Sequence, residues 1–97
     1  MTAPPLSASA FVLTSRPERY IKQLLSHFGN KVETELTDEG GRLQFDFGVC
    51  DLRAAPTGIE LIGIAEDAAQ LATLKDVVGR HLVRFGANDE LTVSWTP

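Results

Sequence analysis

The periodicity of apolar residues along this chain predicts an α+β fold. The expected form is a two-layer sandwich, with a five- or six-stranded, mostly antiparallel sheet carrying two helices on one face. Three observations lead there. Two segments, about residues 16–28 and 67–86, repeat apolar side chains at helical spacing between a start signal and a glycine. The stretches around them alternate apolar and polar residues with the period of a strand. Those lying between the helices are joined by short Gly-containing turns, as hairpins are.

Residues 1–8, with two prolines and small polar side chains, read as a flexible N-terminal arm before a single domain over 9–97. "SAFVLTS" (9–15) is rich in β-formers. Ser15-Arg16-Pro17-Glu18 places a glutamate three positions after a serine and a proline in the first turn, which starts a helix. Tyr20, Ile21, Leu24, Leu25 and Phe28 then form its apolar stripe, Glu18 and Lys22 pair on the wet side, and Gly29 stops it. Val32, Thr34 and Leu36, a turn at Asp38-Glu39-Gly40-Gly41, and Leu43, Phe45 and Phe47 make a hairpin. After Gly48 the apolar positions become Cys50, Leu52 and Ala54, an odd step that an uninterrupted strand forbids.

Gly48 is therefore either a bulge in one long strand or part of a tight turn between two short ones. The bulge is preferred because the flanking strands would otherwise be very short. "APTG" turns into "GIELIGIA", apolar on both faces toward its end and so central in the sheet. Asp67 with Gln70 opens the second helix, which turns Leu71, Leu74, Val78, Leu82 and Phe85 inward, pairs Asp76 with Arg80 outside, and ends at Gly86. "ELTVSWT" closes the chain as a half-buried strand, and the order is β-α-β-β-(β)-β-α-β. The two strand–helix–strand segments, each with a Phe-Gly helix end, resemble each other as an internal duplication would.

Strand parity puts Val32, Leu36, Leu43, Phe45, Cys50, Leu52, Ile59, Leu61, Leu91, Val93 and Trp95 under the helices. The opposite face collects Glu33, Glu35, Gln44, Asp46, Asp51, Arg53, Glu60, Ile62, Thr92 and Ser94. This face is acidic. Its carboxylates Glu33, Glu35, Asp51 and Glu60 are candidate ligand-binding residues for a cationic ligand or basic partner, and the open face is a candidate surface for dimerisation. The expected assembly is a monomer or a weak homodimer.

A net charge of −4 without a basic cluster argues against nucleic acid. A single cysteine forms no internal disulfide, no apolar run approaches the about 20 residues that span a bilayer, and the opening residues lack a leader pattern, so the expectation is a cytoplasmic protein off the membrane.

Asp46-Phe47-Gly48 spells a tripeptide that binds magnesium in protein kinases, but no glycine-rich loop, lysine strand or catalytic loop accompanies it. Cys50 reads as a small core hydrophobe. The chain holds two histidines, His27 and His81, each near a helix C-terminus, where the dipole favours a cation and a ring nitrogen reaches helix carbonyls. They are the remaining candidate ligand-binding pair. Whether they share a site depends on Gly48: a bulge makes the helices parallel and brings the histidines to one edge. A tight turn makes the helices antiparallel, as in a ferredoxin-like sheet, and would separate the histidines by about 15–20 Å at 1.5 Å per residue. No nucleophile elbow, phosphate loop, dinucleotide fingerprint or metal-ligand spacing is present, so no cofactor, metal or catalytic residue is expected and an enzyme is the weaker reading.

"RYIKQLLSHFGNKVETEL", "GRLQFDFGVCDLRA" and "LKDVVGRHLVRFGANDELTVSWT" resemble a family of short bacterial domains of unknown function, DUF2218, over residues 9–96. Tyr20 with His27-Phe28-Gly29, the Phe47-Gly48-Val49-Cys50 segment, and His81-Leu82-x-x-Phe85 before Leu91-x-Val93-x-Trp95 carry the resemblance. It implies a domain that stands alone or occurs beside siderophore-interacting flavoproteins that release iron from chelates. The function expected from it is a small binding or accessory module of iron–siderophore handling, with that flavoprotein or a small ligand as partner. The alternatives are a small metal-dependent or hydrolytic enzyme using His27 and His81, and a structural dimerisation domain.

Overall fold

The computed structural model describes residues 5–96. Its elements are β1 (Leu6–Leu13), α1 (Pro17–Phe28), β2 (Glu33–Thr37), β3 (Gly40–Phe45), β4 (Gly48–Ala55), β5 (Gly58–Ala65), α2 (Ala68–Phe85) and β6 (Trp95–Thr96), with a 3₁₀ turn at Ala87–Asp89. The six strands form one sheet in the order β2-β3-β4-β5-β1-β6, every adjacent pair antiparallel. The expected α+β sandwich is the observed architecture, and the additional strand it allowed is real. No helix among the described residues is long and apolar enough to cross a membrane.

The topology is a ferredoxin-like pair of split β-α-β units. The units are not equivalent. Strands β3, β4 and β5 separate β1 from β2, whereas β1 alone separates β5 from β6. The similarity between the two segments therefore reflects a shared local order of elements rather than equal places in the sheet.

Alternation along the strands sets the two faces. Val12, Leu43, Cys50, Leu52, Ile59 and Leu61 point under the helices and meet Leu24, Leu74, Val78 and Leu82, all essentially without solvent contact. Fully burying one such aliphatic side chain stabilises by about 1.5–3 kcal/mol. Cys50 lies in this core as expected.

Several local expectations are corrected. Strand β1 begins at Leu6, because Leu6, Ser7 and Ala8 pair with Ala65, Ile64 and Gly63 of β5, so the N-terminal arm does not extend to residue 8. Residues 1–4 of that arm lie outside the described residues. Helix α1 carries Pro17 in its first turn, but Ser15 does not cap it: the N-cap is Arg16, whose N–H donates to Thr14 Oγ1 at 3.1 Å. Asp67 does cap α2, accepting from the Gln70 N–H at 2.8 Å. Leu36 faces the helix side yet is 77% exposed, because it sits on the edge strand β2 while Leu25 fills the space over its cross-strand neighbour Gly41. The last strand shrinks to Trp95–Thr96: Leu91 is buried and Val93 half-buried without a strand partner.

Gly48 is the most consequential correction. It is not a bulge. Phe45 pairs with Gly48 and Leu43 with Cys50 across a two-residue turn, Asp46-Phe47, so β3 and β4 are separate strands. The flanking strands, of six and eight residues, are not short, which removes the reason for preferring the bulge. Gly48 holds φ +153°, and a Cβ there would stand 2.5 Å from the Ile64 carbonyl oxygen. Both facts call for glycine.

Candidate functional site

Because β1 and β5 are antiparallel, α1 and α2 leave opposite ends of the sheet and run in opposite directions. The histidines are nevertheless together: their ring centres are 5.0 Å apart with the planes inclined at 45°. The expected 15–20 Å separation assumed helices lying side by side along their full length. Instead α1, of 12 residues, lies against the C-terminal part of the 18-residue α2. Tyr20 donates a hydrogen bond to Asp89 just beyond the end of α2, while His27 meets His81 and Phe85. Two antiparallel helices that overlap through their C-terminal turns bring both C-terminal ends to one place.

Aromatic rings surround the pair. Phe28 lies 5.0 Å from His27 and 4.9 Å from His81, edge to face, and Phe85 lies 5.2 Å from His27. Phe28 continues to Phe45 at 5.3 Å, which stacks on Phe47 at 4.7 Å. Phe45 and Phe47 in turn line a groove of about 320 Å³ with Gly48, Val49, Ile64 and Gln70. Rings at these distances and angles pack favourably and hold one another in place.

The half-buried His81 ring places Nδ1 2.6 Å from the Val77 carbonyl oxygen, one helical turn back. A carbonyl only accepts, so Nδ1 carries the proton, and in the neutral tautomer with that proton the lone pair lies on Nε2. His27 is exposed, and its pKa is lowered, first by partial desolvation against the neighbouring rings and then by the positive fields of His81, Lys31 and Arg84. Opposing those fields, two helix C-termini converge here, each equivalent to roughly half a negative charge.

The four candidate carboxylates lie elsewhere. Pairing places Glu33 opposite Gln44, Glu35 opposite Arg42 and Asp51, and Glu60 opposite Arg53, all on the sheet face away from the helices. The structure therefore does not bring them together with the histidines. Nor is that face a bare acidic surface. Arg42 bridges Asp51 at 2.7 Å and Glu35 at 3.7 Å, and Arg53 bridges Glu39 at 3.1 Å and Glu60 at 3.3 Å. Arg42 was legible in the sequence, since the residue before inward-facing Leu43 must point outward.

The family profile described as "Uncharacterized protein conserved in bacteria (DUF2218)" matches residues 9–96. The chain belongs to the DUF2218 family. Among solved structures, this domain is similar to PA4090 from Pseudomonas aeruginosa, determined by NMR. The two share 34% identity with a TM-score of 0.79, over 94% of this chain and 95% of that one. No curated protein matches it.

Within the DUF2218 domain the histidine cluster brings together, from separate elements, two groups able to bind a ligand or move a proton. Cys50 offers no nucleophile there: burial, with Asp51 adding to it, pushes its thiol pKa up to about 12, and the side chain has no solvent contact. Among the described residues no group of three or more His, Cys, Asp or Glu side chains is placed to hold a metal ion. The arrangement can thus present two imidazole nitrogens to a ligand, beside apolar ring edges and the cations Lys31 and Arg84.

Proposed function

We propose that this domain is a small binding module of bacterial iron–siderophore handling, with its ligand seated at the His27–His81 cluster. The observation that carries the reading is the 5.0 Å approach of two imidazoles from different helices. Helix packing brings the rings together at the surface rather than in the core, His27 exposed and His81 half-buried, where a ligand can reach them. An iron chelate matches the surroundings: its anionic donor groups suit Lys31 and Arg84, and catecholate rings suit the half-buried edge of Phe85. The siderophore setting is what the family resemblance implies.

Calorimetric titration with a ferric tris-catecholate and a ferric trihydroxamate tests it. Saturable binding of at least one, weakened tenfold or more by Lys31→Glu with Arg84→Glu, is the expected result. Absence of binding to both retires the siderophore assignment. The reading as a metal-dependent or hydrolytic enzyme has less support, because among the described residues no third His, Cys, Asp or Glu is placed with the two rings to hold a metal ion, and Cys50 is buried.

A second reading, self-association through the open sheet face, draws on Phe11, Leu13 and Ile64, which are 46%, 72% and 38% exposed there. Light scattering across a concentration series tests it. A monomer mass up to millimolar concentration would dismiss it.

A further inference from the structure

We infer that His27 and His81 are a two-imidazole site for a divalent transition-metal ion, which they bind by direct coordination. This inference rests on the reading of the histidine cluster as the ligand site, and it names how capture occurs.

The ring separation is one that a shared ligand pair would have. An imidazole nitrogen sits about 2.0–2.1 Å from zinc, so its ring centre lies about 3.2 Å away, and two rings at a tetrahedral angle have centres about 5.2 Å apart. The observed separation is 5.0 Å.

The state of the rings agrees. The Nδ1–H of His81 is held by the Val77 carbonyl at 2.6 Å, the arrangement that fixes tautomer and aim in histidine ligands and leaves Nε2 free to coordinate.

The field is mixed. The converging negative ends of α1 and α2 favour a cation, whereas Lys31 and Arg84 oppose one. With two protein ligands and that opposition, the affinity expected is micromolar rather than the far tighter binding of a closed four-ligand site. The remaining coordination positions fall to water or to anionic donor oxygens of a chelating co-ligand, whose charge Lys31 and Arg84 would offset. Imidazole pairs select borderline ions such as Zn²⁺, Ni²⁺, Cu²⁺ and Fe²⁺ over Mg²⁺ or Ca²⁺, with Cu²⁺ bound most tightly.

The test is calorimetric titration of the untagged full chain with Zn²⁺, Ni²⁺ and Cu²⁺ salts in a non-coordinating buffer, with Mg²⁺ as control. Long-range ¹H–¹⁵N spectra of the imidazoles accompany it. One ion per chain is expected, Cu²⁺ tightest and Mg²⁺ silent, with the Nε2 resonance of His81 shifting on Zn²⁺ addition. His27→Ala should weaken binding tenfold or more. Because His27 is exposed, that variant keeps the fold, and its thermal midpoint verifies this. Lack of saturable binding, or binding unchanged in His27→Ala, overturns the inference. If ferric chelates bind while the free ions do not, coordination by the histidines is refuted and the binding-module reading survives. If the ions bind while the chelates do not, coordination stands and the siderophore assignment falls.

Discussion

Replacing Gly48 by alanine removes no contact, yet it should be among the more damaging single changes in this domain. Two costs combine. Gly48 holds φ +153°, a region essentially reserved for glycine, where strain amounts to about 1–3 kcal/mol. The new methyl would also stand 2.5 Å from the Ile64 carbonyl oxygen, 2.8 Å from Leu74 Cδ1 and 3.2 Å from Ala65 Cβ. Leu74 can rotate away, but the carbonyl belongs to the β5 backbone and cannot yield without disturbing the ladder, and overpacking of this kind costs about 1–3 kcal/mol. Together the loss should be about 2–6 kcal/mol, a large share of the about 5–15 kcal/mol that keeps a domain folded. In a domain of this size it corresponds to a fall in melting temperature of roughly 10–40 °C. Urea unfolding should show the midpoint falling at constant slope, since the native fold is unchanged. Combining Gly48→Ala with Leu74→Ala should cost less than the sum of the two by about 1 kcal/mol, because the two side chains compete for one space. A Gly48→Ala variant melting within about 2 °C of the parent would refute the assignment of Gly48 to a constrained strand start, because at this chain length such a shift is only a few tenths of a kcal/mol.

Three further outcomes are expected. The folded-state pKa of His27 lies below its ordinary 6.5, so the unfolded chain binds more protons there. Its contribution is therefore intact above about pH 6.5 and is lost as pH falls toward the folded value, and His27→Gln should flatten that part of a melting-temperature profile between pH 4.5 and 7.5, all roughly. The Cys50 thiol, buried with its pKa pushed up to about 12, should resist a thiol reagent at mild alkaline pH and react at once in denaturant; rapid labelling of the native chain would contradict its place in the core. Arg42→Gln breaks the bridges to Asp51 and Glu35 and should lower the melting temperature slightly at low ionic strength and less in 1 M salt, while equal loss at both would show that packing rather than charge is involved.

What could be read from the sequence was whatever depends on local periodicity. The inward positions of α2 follow from 3.6-residue spacing, and the burial of Cys50 follows from its alternation with Leu52. The Asp67 cap follows from a side chain reaching one turn along its own helix. Failures occur where a long-range partner decides. Leu36 alternates like a buried residue but is stranded on an edge, with Leu25 already over Gly41. Ser15 has capping chemistry, but Thr14 makes the contact with the Arg16 N–H. At Gly48 the odd step from Phe47 to Cys50 is compatible with either a bulge or a turn. Pairing of Phe45 with Gly48 across the sheet decides between them, and local pattern does not record pairing.

The histidine cluster was hidden for a related reason, and its placement gives it meaning. Strand directions correctly imply that the helices run opposite ways once β3 and β4 are separate strands. Direction alone, however, does not set the offset of one helix along the other. That offset is set by length and by ties at the ends: α2 is six residues longer than α1. Tyr20, near the start of α1, bonds to Asp89 beyond the end of α2, so α1 is drawn toward the C-terminal end of its neighbour. Once α1 is drawn there, the last turn of each helix faces the other, and residues chosen independently as helix-end histidines become a pair. The Tyr20–Asp89 bond and the His27–His81 approach are thus two consequences of one stagger. The same packing that sets the fold also sets the distance between the two candidate ligands.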